Sequence, residues 1–144
     1  MEAHETRALD FQRVGPHQMR IEEPDTLHIR LYGVVEREHF EIFFRTIMDA
    51  VPPPTPLYVL RDARNGGEVT AQARRFIARQ VDIARVAAIV TFGASFHGRT
   101  IITMLNKAMR LFNKNAPTIV FFDSEAEARA WIAAHRNRSN LATP

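Results

Sequence analysis

An α/β domain built on a mostly parallel sheet with four helices is what this sequence predicts, and three observations predict it. Short apolar runs of strand type alternate with stretches of helical periodicity along the whole chain. Each successive pair of runs is separated by one crossover, which favours parallel pairing with right-handed connections. The length of 144 residues, with 46% apolar and 24% charged side chains, suits one globular domain with a single substantial core.

The elements follow in order. Residues 1–10 read as a flexible lead-in, and Met1-Glu2-Ala3-His4-Glu5 is charged from its second residue, so no secretory signal is expected there. Phe11, Val14, Met19 and Ile21 around Gly15-Pro16 predict one or two short edge strands about a turn. After the loop Glu22-Glu23-Pro24-Asp25, the alternation of Leu27, Ile29 and Leu31 with His28, Arg30 and Tyr32 predicts a half-buried strand. Phe40, Phe43, Phe44, Ile47, Met48 and Val51 recur at i, i+3, i+4 spacing, and Pro52-Pro53-Pro54 stops the helix they define.

The apolar run Leu57-Tyr58-Val59-Leu60 reads as the central strand. It is followed by Arg61-Asp62-Ala63-Arg64-Asn65-Gly66-Gly67, expected as a tight glycine turn, and by a helix opening at Thr70, whose hydroxyl is placed to cap it. Ala73, Phe76, Ile77, Gln80, Val81 and Ala84 carry that helix. Val86 to Phe92 is continuously apolar, the mark of a strand covered on both faces, and Gly93-Ala94-Ser95 ends it.

The next helix runs from about His97 to Phe112 and is apolar over more than one stripe. Ile102, Met104, Leu105, Met109, Leu111 and Phe112 are therefore the candidate apolar interface, for a homodimer seam or an apolar ligand. Thr118 to Phe122 is the last strand. Ser124-Glu125-Ala126-Glu127 matches a capping box, and Ala130, Trp131 and Ala134 are expected to face inward from the final helix. Residues 11–136 form the domain on this reading, and residues 137–144 a flexible tail.

The Leu57–Asp62 segment, the junction Val90-Thr91-Phe92-Gly93-Ala94-Ser95-Phe96 and the closing Phe121-Phe122-Asp123-Ser124-Glu125-Ala126-Glu127-Ala128-Arg129-Ala130-Trp131-Ile132 resemble the SpoIIAA-like (STAS-type) family of small bacterial domains. The resemblance implies a mixed sheet with an antiparallel first strand, a fold shared with CRAL-TRIO lipid-binding domains, and non-enzymatic regulation through partner proteins. Regulators of this type carry a phosphorylated Asp-Ser pair where the helix after the central strand begins. Here Asp62 matches the acidic strand end, but the stretch Asn65-Gly66-Gly67-Glu68-Val69-Thr70 has no such pair. Thr70 is the candidate phosphorylation site, with Arg64, Arg74 and Arg75 near enough in sequence to meet a phosphate.

Chemistry beyond the resemblance is sparse. The absence of cysteine excludes disulfides, thiol nucleophiles and zinc-thiolate sites and suits a reducing cytoplasm, the expected location. A net charge of +3 spread along the chain argues against nucleic-acid binding. The six histidines show no H-x-x-x-H or H-E-x-x-H spacing, so neither metal nor other cofactor is expected. Gly93-Ala94-Ser95-Phe96-His97-Gly98 places its later glycine one residue too far for a nucleophile elbow. It is better suited to an anion at a helix N-terminus, with Ser95 and Arg99 assisting, or to a plain strand-to-helix turn.

The expected partner or ligand surface comprises Asp62, Arg64, Asn65, Gly66, Gly67, Thr70, Ser95, His97 and Arg99. The expected function is a self-associating, non-enzymatic protein-interaction module. The alternatives are a lipid or apolar-ligand binder, with its groove between the Thr70 and His97 helices, and an enzyme using Asp62 with Arg64 or His97.

Overall fold

The computed structural model describes residues 10–142. The expected lead-in over residues 1–9 lies outside them. A hairpin of β1 (Gln12–Val14) and β2 (His17–Glu22) leads into β3 (Thr26–Val35), and the chain then alternates α1 (Arg37–Ala50), β4 (Leu57–Val69), α2 (Ala71–Ala78), β5 (Val86–Phe92), α3 (Phe96–Phe112), β6 (Thr118–Phe122) and α4 (Glu125–Ala142). The sheet has six strands in sequence order. β1, β2 and β3 pair antiparallel, and β3 through β6 pair parallel.

Sequential parallel strands joined by right-handed crossovers put their connecting helices on one side. α1, α2 and α3 accordingly cover one face, over Leu27, Ile29, Leu57, Val59, Val86 and Ile89. The last helix has no strand to return to and crosses behind the sheet. There Ala128 and Ile132 pack on Tyr58, Leu60, Ala88, Val90 and Phe92. β4 and β5 are thus covered on both faces, which is why both read as near-continuous apolar runs.

Several local expectations change. Gly66 and Gly67 do not turn the chain: β4 continues through them to Val69, with Gly66 beside Gly33 and Val69 beside Val35. A Cβ on Gly67 would come within 2.8 Å of the Gly33 carbonyl carbon, so glycine serves there for close approach of two strands. β3 is half buried toward its carboxyl end, where Arg30 is partly exposed and Tyr32 exposed, but at its start His28 is only 1% exposed, beside Phe11 and Arg129.

α2 ends at Ala78, and Val81 and Ala84 fall in a 3-10 turn over Val81–Arg85. On α4 the inward positions are Ala128 and Ile132, with Trp131 flanking, while Ala130 and Ala134 face outward. The helix also continues to Ala142, through residues expected as a tail.

Hydrogen bonds fasten α4 across the back of the sheet. Glu22 accepts from Arg129 Nη1 at 2.8 Å and Nη2 at 3.0 Å, from Arg20, and lies 2.9 Å from His28 Nδ1. Asp25 receives a two-pronged contact from Arg136, at 2.9 and 2.7 Å. Tyr58 Oη lies 2.8 Å from His135 Nδ1, and His135 stacks on Trp131.

Candidate functional site

Open parallel sheets leave a crevice beyond the carboxyl ends of their strands, where the chain departs into helices. Here that crevice is a pocket of about 450 Å³ between the ends of β4 and β5 and the first turns of α2 and α3.

β4 supplies its floor by simple alternation. Leu57 and Val59 face the helix-covered side, and Arg61, two residues on, follows them inward. Arg61 is 8% exposed. Its Nη1 donates to Thr91 Oγ1 at 3.3 Å from the adjacent position on β5, and no acidic side chain reaches it among the described residues. Burial lowers its pKa to about 10, which leaves it charged at neutral pH.

The next residue faces the other way. Asp62 Oδ1 accepts from Arg64 N–H at 3.1 Å and Arg64 Nε at 3.0 Å, and Oδ2 accepts from Arg64 Nη2 at 2.7 Å. Burial by itself would raise this carboxyl, but the hydrogen bonds and charge of Arg64 overcome it and hold Asp62 below the ordinary range. Arg64 crosses Gly93, whose φ of +74° only glycine adopts without strain and whose missing Cβ leaves room for the Arg64 side chain. It then lies over the Phe92 ring on the α4 face.

Gly66, Gly67 and Glu68 wall the pocket from the extended end of β4, and Ser95, His97 and Gly98 from the start of α3. Ser95 caps that helix by accepting from Gly98 N–H at 3.0 Å. Arg74 reaches the pocket from α2 while Nη1 donates to the Val69 carbonyl at 2.6 Å. Leu31, Val69, Ile101 and Ile102 provide apolar sides. Arg61 and Ile102 also border a further apolar space below, of about 60 Å³.

Of the expected surface, Gly66, Gly67, Ser95 and His97 meet at this pocket. Asn65 is exposed on the rim. Thr70 caps α2, accepting from Ala73 N–H at 3.1 Å. Arg99 turns toward β6, where it pairs with Asp123 at 3.2 Å. Asp62 and Arg64 come together on the α4 side of the sheet, whereas His97 lies on the α2–α3 side, so the enzymatic alternative that pairs Asp62 with His97 does not converge.

On α3, Ile102, Leu105 and Met109 of the expected apolar interface are buried in the core, Met104 and Leu111 are exposed, and the Phe112 side chain lies outside the described residues. Arg61, Thr91 and Glu68 are not among the expected site residues, and Arg74 is expected only as a cation near Thr70. The signal for Arg61 and Thr91 lay in the two-residue alternation, which carries Leu57-Val59 on to Arg61 and Ile89 on to Thr91. No group of acidic or histidine side chains among the described residues is placed to hold a metal, and no described helix is long and apolar enough to cross a membrane.

No family model matches the chain, and no curated protein does. Solved structures do. An uncharacterized protein of the DUF3478 family with a SpoIIAA-like fold, from Shewanella loihica PV-4, aligns over 83% of this chain and 98% of its own at 14% identity, with a TM-score of 0.56. The anti-sigma factor antagonist SpoIIAA in its unphosphorylated form aligns over 86% of this chain and 98% of its own at 14% identity, with a TM-score of 0.48. Antiparallel β1 to β3, parallel β3 to β6, four helices and the first of these alignments together identify the architecture: the chain has the SpoIIAA-like fold.

Proposed function

We propose that the protein is a non-enzymatic regulatory module that docks a partner protein on the carboxyl end of its sheet. The observation that carries this reading is the mixture of apolar and cationic side chains presented there. Phe96, on the first turn of α3, is 88% exposed; Tyr32 and Val34 stand out from the end of β3; and Arg64 projects beside Gly93. An exposed aromatic with arginine alongside is the composition of interface hot spots. The resemblance to partner-binding regulators points the same way.

The test is quantitative co-purification from the host with Phe96→Asp, Arg64→Glu and, as a control at the opposite end of the strands, Lys114→Glu. Proteins retained by the wild type are expected to be lost with the two rim variants and kept with the control. Retention of the same set by the rim variants would remove the proposal.

Self-association is a second reading, favoured by Met104 and Leu111, which lie seven residues apart on one exposed stripe of α3. Leu111→Glu should then halve the native mass. The lipid alternative gains no comparable support: the groove between α2 and α3, about 340 Å³, has Arg74, Arg75 and Arg79 among its walls, and the apolar space beneath the pocket holds only about 60 Å³.

A further inference from the structure

Among the described residues, Arg61 is a buried cation without an anion. A guanidinium has five N–H donors, and Thr91 takes one of them through a contact at the long end of the hydrogen-bond range. Among the described residues the two buried carboxylates, Asp62 and Asp25, and the half-buried Glu22 are engaged on the far side of the sheet: Asp62 by Arg64, Glu22 by Arg129 and Arg20, and Asp25 by Arg136. Leaving a charge in such a place is costly unless something pairs with it. The pocket into which Arg61 opens has the size of a small-molecule site.

We propose that Arg61 and Thr91 form the floor of a binding site for a small monocarboxylate with a compact apolar body, held between β4, β5 and the N-terminus of α3.

Four features select that chemistry. The planar fork of a guanidinium matches a carboxylate with two parallel hydrogen bonds. Thr91, 0% exposed and beside Arg61 in the sheet register, offers its hydroxyl next to the same position. The α3 N-terminus adds partial positive charge at the mouth, so an anion is favoured from both ends of the pocket. Formal charge sets the valence: Arg61 and Arg74 against Glu68 leave one net positive charge facing the cavity. A monoanion balances it, whereas a dianion would be left in excess beside Glu68. The remaining walls, Leu31, Val69, Ile101 and Ile102, are apolar and fit a short branched or aromatic body behind the carboxylate. The site lies beneath the partner face proposed above and does not depend on it.

The experiment titrates the full chain at neutral pH with benzoate, butyrate, benzamide and inorganic phosphate, followed by calorimetry and by amide chemical shifts. Benzoate or butyrate should bind saturably, with shifts at Thr91 and at the first turn of α3, and benzamide should bind at least tenfold more weakly. Arg61→Met should weaken the carboxylate roughly tenfold or more, the loss expected for a charge-assisted pair of hydrogen bonds. Ile101→Trp, which fills the pocket from a partly exposed helix position, should abolish binding and carries the comparison if Arg61→Met does not fold. The proposal is overturned if neither carboxylate binds, if benzamide matches benzoate, if phosphate binds more tightly than both carboxylates, or if a folded variant keeps wild-type affinity.

Discussion

Arg61 and Asp62 are neighbours on one strand and live under opposite rules. Asp62 points to the α4 face, where each buried carboxylate has a guanidinium within hydrogen-bond distance. Arg61 points to the face under α1, α2 and α3, where its surroundings are Leu27, Ile29, Val59 and Ile102 and its one hydrogen bond goes to a hydroxyl. The back of the sheet is a closed electrostatic system that fastens a helix. The front keeps one charge in reserve at the mouth of a pocket. Neither face differs much in how apolar its core is; what separates them is whether buried charge is matched.

The sharpest way to break this contrast is to remove one guanidinium from each face. Arg136→Ala strands Asp25, whose side chain is 6% exposed, and should cost about 2–3 kcal/mol in urea denaturation; the value sits at the low end for a broken buried pair because Arg136 itself keeps water contact. Arg61→Met removes a charge that has no counter-ion, and stability should stay within about 1 kcal/mol of wild type, or rise. Equal losses from both variants would erase the distinction.

A smaller effect is expected at the pocket wall. Gly67→Ala forces a methyl against the Gly33 backbone and should cost about 1–2 kcal/mol with a loosened β3–β4 register, seen as faster amide exchange at Val35 and Val69. Thr70→Ala should cost about 1 kcal/mol, the ordinary loss of a helix cap, with no change in ligand affinity.

Mild acid gives the least change and separates the faces by pH. On the front, His17 accepts from Tyr32 N–H at its Nδ1 and meets the Val34 carbonyl at Nε2, an arrangement that requires the neutral ring. Burial first, and His39 second, lower its pKa below the ordinary 6.5. A base with a depressed folded pKa binds fewer protons folded than unfolded, so its contribution is complete above pH 6.5 and declines as the pH falls below it. On the back, Glu22 is held well below 4.5: its burial would raise it, and His28, Arg129 and Arg20 outweigh that. Its contribution persists through that first decline and is lost only as the pH drops through the carboxylate range. Thermal melts should therefore show two acid steps, with the upper one reduced in His17→Gln and its remainder carried by His135, whose pKa burial also lowers.

Much of the architecture was legible because local pattern and global topology agree. The helical spacing of Phe40, Phe43 and Ile47, the double-sided apolar run at Val86–Phe92 and the caps at Thr70 and Ser124 all carry over to the structure. The reading failed where a tertiary contact overrides a local preference. Gly66-Gly67 has turn composition, yet it lies in a strand because Gly33 on the neighbouring strand makes room only for glycine. His28 has polar character, yet Phe11 and, a hundred residues later, Arg129 on α4 bury it. The pocket floor was missed for the first of these reasons: a segment taken as a turn has no faces, so Arg61 was not assigned one.

That same glycine pair has a bearing on selectivity. At Gly66 and Gly67 the lining of the cavity is bare main chain, held close against Gly33 on β3. Side chains on helices can swing aside for a bulky guest, but a hydrogen-bonded ribbon cannot. The width of the entrance is therefore rigid on one side and adjustable on the other, and discrimination by girth belongs to the strand while accommodation belongs to α3.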